Sequence, residues 1–255
     1  MINTVRSEWT KLFTTRTWIG LLIGACLMAG GFAALYTGLA GQTGQNGQPG
    51  IPPVGDQQYE TLAFSAAAST SVLLLILGII GMTQEYRHRT ATPTFLTEPR
   101  RGRVITAKLI AYALVAVPFA LLILAVNVLV VEVYAGARGA APSLSADNLQ
   151  TLAASGLVLV VFTVIGVGVG ALLPNQVAAI VASLVYLNVI EPIVSGIGVL
   201  QGAYKWLPGG AARAITTDFQ APDLLLPWQG GLLLLGYGLL AALLGTLLAV
   251  RRDVV

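Results

Sequence analysis

Few side chains in this sequence could do chemistry, and their types and spacing restrict what that chemistry is. His88 is the only histidine and Cys26 the only cysteine, which excludes a disulfide within one chain and a cysteine-based structural zinc site. A catalytic nucleophile needs a base within hydrogen-bond reach, and one histidine between Arg87 and Arg89 beside scattered serines supplies no such pair. Nor is there a glycine-rich turn ending in Gly-Lys-Ser/Thr to cradle phosphates. The chain is therefore expected to be no enzyme and to hold no cofactor or metal of its own. Two places remain. Glu191 is the one acid deep inside an apolar run, where a charge costs at least about 2.5–3.5 kcal/mol. With Pro192 behind it, Glu191 marks either a pathway or gate reached by water, or a helix end that leaves the carboxylate hydrated at the membrane surface. Glu85, Tyr86, Arg87 and Arg89 lie in a polar, strongly basic segment, Thr83 to Arg103, that interrupts apolar sequence. Glu85 and Arg89 are one helical turn apart and are expected to pair, leaving Tyr86 and Arg87 for a partner.

These residues must be positioned by helices in lipid. Of the 255 residues 56% are hydrophobic and 10% charged, and the mean hydropathy is +0.80, whereas a soluble chain is nearer 25% charged. Crossing a bilayer takes about 20 mostly apolar residues in a continuous helix. Six such spans are expected, at about 18–40, 62–82, 104–131, 152–173, 177–200 and 228–250, within one domain covering 1–255. Residues 2–16 place Ile2, Val5, Trp9, Leu12 and Phe13 at helical spacing and read as an amphipathic helix on the membrane surface. The Gly/Gln/Pro-rich stretch from Gly41 to about Thr61 is expected to lack regular structure. Span five is expected to break at Glu191-Pro192, and Lys108, near the start of span three, to snorkel to the headgroups.

Arginine and lysine fall unevenly about these spans. Arg6, Lys11, Arg16, Arg87, Arg89, Arg100, Arg101, Arg103, Arg251 and Arg252, with Lys108 just inside, lie on one side; Arg138, Lys205 and Arg213 lie on the other. The basic side is read as cytoplasmic, with both termini inside, which agrees with an even number of spans. The isoelectric point near 9.2 thus reflects topology, and no nucleic-acid partner is expected. Ile23-Gly24-Ala25-Cys26 is similar to a lipoprotein cleavage site, but the apolar run continues past it, so Cys26 reads as a small residue inside a helix. Gly20 with Gly24, and Gly166 with Gly170, are spaced for close helix contact.

Ser7-Glu8-Trp9-Thr10-Lys11-Leu12, then Thr14-Thr15-Arg16, resembles the opening of actinobacterial ABC-2-type transporter permeases. The stretch Gly81-Met82-Thr83-Gln84-Glu85-Tyr86-Arg87-His88-Arg89-Thr90, with Pro93 to Arg103 after it, is similar to the first cytoplasmic loop of that family. The resemblance implies an all-α polytopic fold of six transmembrane helices with an N-terminal interfacial elbow helix, here 2–16, and a cytoplasmic coupling helix, here roughly Gln84 to Thr92. It also implies a permease subunit in the bacterial plasma membrane that exports a hydrophobic or amphipathic substrate. Its partners would be membrane lipid, a dimer of ABC ATPase subunits that binds the ATP and Mg, and a second copy of this permease or a paralogous one. The docking contacts would fall to Glu85, Tyr86, Arg87 and Arg89. The apolar stretch after Glu191-Pro192 would fold back into the outer leaflet. The alternative is a secondary transporter or channel that uses Glu191 as an ion or proton site.

Overall fold

The computed structural model describes residues 2–42, 50–87, 101–216 and 224–251. Among them every regular element is helical, because in lipid only a helix satisfies its own backbone hydrogen bonds within one segment. The chain runs through α1 (Ile2–Thr14), α2 (Thr17–Leu39), α3 (Gln57–Ser65), a 3-10 turn (Ala66–Thr70), α4 (Ser71–Arg87) and α5 (Arg101–Ala137). It continues through α6 (Ala146–Leu172), α7 (Gln176–Val185), a π-helical turn (Tyr186–Ile190) and α8 (Glu191–Gly196). It ends in α9 (Gln201–Tyr204), α10 (Pro208–Thr216) and α11 (Pro227–Arg251). Six stretches are long and apolar enough to cross a membrane: Thr17–Leu39, Gln57–Arg87, Gly102–Ala137, Ala146–Leu172, Gln176–Gly196 and Pro227–Leu247. The fold is that of an all-helical, multi-pass membrane protein.

Helix α6 is the centre, packed most extensively on α4 and next on α11. Glycine permits the closeness: a Cβ on Gly166 would strike the Leu75 carbonyl, one on Gly78 the Thr163 carbonyl, and one on Gly170 would stand 2.9 Å from Met82 Cβ. Small faces of this kind let backbones touch where lipid supplies no hydrophobic drive between helices. The other expected pair differs. A Cβ on Gly20 would meet nothing within 4 Å, and one on Gly24 only Leu73 Cδ1 at 3.7 Å. Helix α2, the α7–α8 stretch and α11 keep most of their side chains on the outside of the bundle.

The helices outrun the apolar runs that announce them. Asp56 caps α3 by accepting from the Gln58 amide at 3.0 Å, so regular structure begins inside the stretch expected to be loop. Helix α5 continues six residues past Val131 to Ala137; its 37 residues cover about 55 Å at 1.5 Å each, well beyond a hydrocarbon core of about 30 Å. Span five does not break at Pro192, which sits at the second position of α8. The disturbance precedes it, in the π turn, where the Glu191 amide reaches back to the Tyr186 carbonyl. The helix ends at Gly196, and Ile197 is extended at φ −93°, ψ 112°.

The two ends of the bundle are held differently. At the end carrying residues 50–56 and 138–145, Arg138 donates to the Thr37 and Ala40 carbonyls, at the C-terminal end of α2, where a positive charge is favoured. Thr37 and Tyr59 hydroxyls meet at 2.7 Å, and buried Asn148 donates to Glu60 and to the Ser143 carbonyl. The opposite end carries α1, the close of α4 and the start of α5.

Candidate functional site

At the α1 end, four charges alternate in sign around a square. Lys11 Nζ lies 2.7 Å from Glu8 Oε1 and 2.7 Å from Glu85 Oε1. Lys108 Nζ lies 2.5 Å from Glu8 Oε2 and 3.2 Å from Glu85 Oε1, and donates to the Gly81 carbonyl at 3.3 Å. Glu8 and Lys108 are each 1% exposed. Taking such ions out of water is affordable only with this degree of pairing. The square joins three elements: α1 through Glu8 and Lys11, α4 through Glu85, and α5 through Lys108. Burial opposes the charge on Lys11, but hydrogen bonds to Glu8 and Glu85 outweigh it and raise the ammonium above its ordinary value. Its contribution is complete below the ordinary lysine value and fades only as pH rises through the raised one.

Around the square, α1 turns Leu12 into the core beside Ile105, Tyr112 and Met82. Trp9 Nε1 donates to the Ala111 carbonyl at 3.2 Å. Trp9, Phe13, Trp18 and Phe119 follow one another with ring centroids 5.1–6.1 Å apart, while Trp9 and Phe13 stay partly exposed. The helix thus has an inward face, an exposed apolar flank and a polar face of Arg6, Ser7, Thr10 and Thr14.

The structure places the expected docking residues unevenly. Glu85 is buried and turned onto Lys11 and Lys108. Tyr86 packs against the core beneath α1. Arg87 is exposed and donates to Gln176 Oε1 at 3.4 Å, at the start of α7. Arg89, His88 and the rest of the expected coupling helix lie outside the described residues. Lys108 does not snorkel; it points into the protein, because two carboxylates await it there. Glu8 escaped the sequence reading. Its signal was present, since an acid three residues after Val5 and four before Leu12 falls on the apolar stripe of α1.

Glu191 sits toward the other end, 3% exposed, on the wall of a cavity of about 860 Å³. The π turn brings it onto the face of Tyr186, whose phenol stands beside the carboxylate. Glu191 Oε1 accepts from the Gly209 amide at 3.1 Å, one of the unpaired first-turn amides of α10, where a negative charge is favoured. A Cβ on Gly209 would overlap Glu191 Oε2. Arg213, one turn along α10, attracts the carboxylate through space and engages the Tyr204 phenol. Glu191 therefore ties span five to α10 while facing the cavity, and Pro192 and Ser195 line the same wall.

Two sites result, one of paired charge joining α1 to the end of α4 and the start of α5, the other a polar-walled cavity between spans. Neither contains a nucleophile–base arrangement. No curated protein matches the sequence. A family model described as ABC-2 family transporter protein matches residues 4–189, a stretch that includes the whole ion square and ends two residues before Glu191.

Proposed function

The chain belongs to the ABC-2 family of transporter proteins, and from that premise we propose that it is the permease of an exporter whose ATPase is a separate polypeptide. The proposal includes a bacterial plasma membrane location, cytoplasmic termini, and pairing with a second permease above two ATPase subunits. The ion square is the observation that carries it. The basic segment follows the end of α4, at Glu85 to Arg87, and precedes the start of α5, at Arg101 to Arg103. Glu85 and Lys108, near those two roots, are paired with each other and with α1. A push on the segment from a docked ATPase would reach α1, α4 and α5 together. Export then proceeds without any reacting group on this chain: ATP closes the partner subunits, the segment moves, and the helices rearrange toward the outer side. Arg87, exposed at the end of α4, and Arg89 are the docking residues of this proposal; Glu85 and Tyr86 hold their base in place.

Purification of the full chain from native membranes in mild detergent, followed by identification of co-purifying proteins, is the test. An ABC ATPase is expected, and Arg87→Glu should weaken its association several-fold at unchanged membrane level, since a surface charge contributes only about 0–1 kcal/mol to folding. Recovery of the chain alone, together with transport driven by a proton gradient, would instead favour the secondary-transporter alternative.

A further inference from the structure

The cavity bearing Glu191 has walls of unequal character. Toward the middle of the spans it is apolar, with Met28, Val158, Phe162 and Leu187. Four polar side chains of the lining donate to their own helices. Ser65 donates to the Leu62 carbonyl at 2.9 Å, Ser195 to Pro192 at 2.9 Å, Thr216 to Ala212 at 2.9 Å, and the Asn188 amide to Leu184 at 3.0 Å. Each of these residues lines the cavity. A hydroxyl that donates to its own helix keeps only lone pairs to offer, and Asn188, with one of its two N–H groups engaged, still offers its carbonyl oxygen. Glu191 adds a carboxylate with room for about four hydrogen bonds, of which the Gly209 amide and the Tyr186 phenol take two. The cationic side chain on the wall, Arg213, is already drawn to Tyr204 and Glu191. The wall thus offers several acceptors and a buried carboxylate, whose charged form a bound cation would favour, and the cavity of about 860 Å³ falls in the range of sites for small organic ligands, about 300–1,000 Å³.

We propose that this cavity binds an amine-bearing cationic amphiphile, with its N–H donors on Glu191, Asn188 and the serine oxygens and its apolar body on Met28, Val158, Phe162 and Leu187. The proposal rests on the export reading in naming the class of molecule that the permease would carry, yet binding itself needs no ATPase. An acidic amphiphile of the same size would bring acceptors to acceptors and a negative charge to Glu191, so the site discriminates by sign.

The test uses the full chain in nanodiscs of phosphatidylcholine, with empty nanodiscs as the baseline. Rhodamine 123, whose amino groups carry its positive charge, is compared by fluorescence anisotropy with fluorescein, an anion on the same xanthene ring system. Saturable binding of rhodamine 123 and none of fluorescein is expected. Glu191→Gln keeps the oxygen that accepts from Gly209 and removes the charge; it should weaken rhodamine 123 binding at least about tenfold, the scale of a hydrogen bond to a charged group. Asn188→Leu, an exposed position clear of the Gly209 contact, should weaken it about threefold and serves should Glu191→Gln fail to fold. Binding that ignores dye charge, no binding of rhodamine 123, or unchanged affinity in a folded Glu191→Gln protein would overturn the proposal and leave Glu191 as an anchor for α10. Such a result would not touch the export reading, which stands or falls on the co-purified ATPase.

Discussion

Removing Lys108 from the ion square would take from Glu8 and Glu85, both buried, one of the two ammoniums that join them. Breaking a buried network by deleting one partner costs about 3–5 kcal/mol, chiefly because of the charge left behind, whereas neutral replacement of a pair is often tolerated. Lys108→Met is therefore expected to lower the thermal unfolding midpoint in detergent sharply. Glu8→Gln with Lys108→Met, which restores electrical balance, should recover most of the loss. Equal damage by the single and the double change would mean that the four charges do not act as one unit. The same geometry alters what a charge reversal at Glu85 would report. A third ammonium beside Lys11 and Lys108 disrupts the base of α4, so Glu85→Lys tests folding, and docking is better probed at exposed Arg87.

Between elements, backbone contact dominates at the centre of the bundle. Gly166→Ala would drive a methyl into the Leu75 carbonyl, and overpacking of this kind costs about 1–3 kcal/mol. Gly20→Ala has open space before it and is expected to leave stability unchanged. A common shift in unfolding midpoint for the two would contradict the packing of α4 on α6. The sequence shows equal spacing at both glycine pairs and cannot separate them, since the difference lies in what each faces. The six spans were legible for the opposite reason: a long apolar run must be helical in lipid whatever its neighbours are. Their ends were less so. The cap at Asp56 is a local bond to the Gln58 amide, hidden in a Gly/Gln/Pro-rich stretch, whereas just past the end of α5 Arg138 reaches Thr37, far back along the chain. The π turn at Tyr186–Ile190 has no compositional mark, and without it the seat of Glu191 against Gly209 could not be foreseen. Glu191 and Lys108 each stood out as a charge against an apolar background, but the sequence could not say which partners each had.

For the whole molecule, the proposed orientation puts the end of the bundle that carries α1 on the cytoplasmic side. In a Cys26→Ala background, cysteines at Gln58 and Ser143, both exposed at the end away from α1, should react with a membrane-impermeant thiol reagent in intact cells. A cysteine at exposed Ser7 or at Thr97 should react only after permeabilisation, and the reverse pattern would invert the orientation. The square also imposes an order on biogenesis. Glu8 leaves the ribosome one hundred residues before its partner Lys108, and at about 5–20 residues per second the carboxylate waits roughly 5–20 s for it. Throughout that interval the N-terminal helix has no complete berth, and the first two spans are an unfinished intermediate. A nascent chain stopped at residue 99 is thus expected to be cleared by membrane proteases several times faster than one stopped at residue 139, which contains all of α5. Pulse-chase half-lives that match would show that the N-terminal helix settles without waiting for the third span.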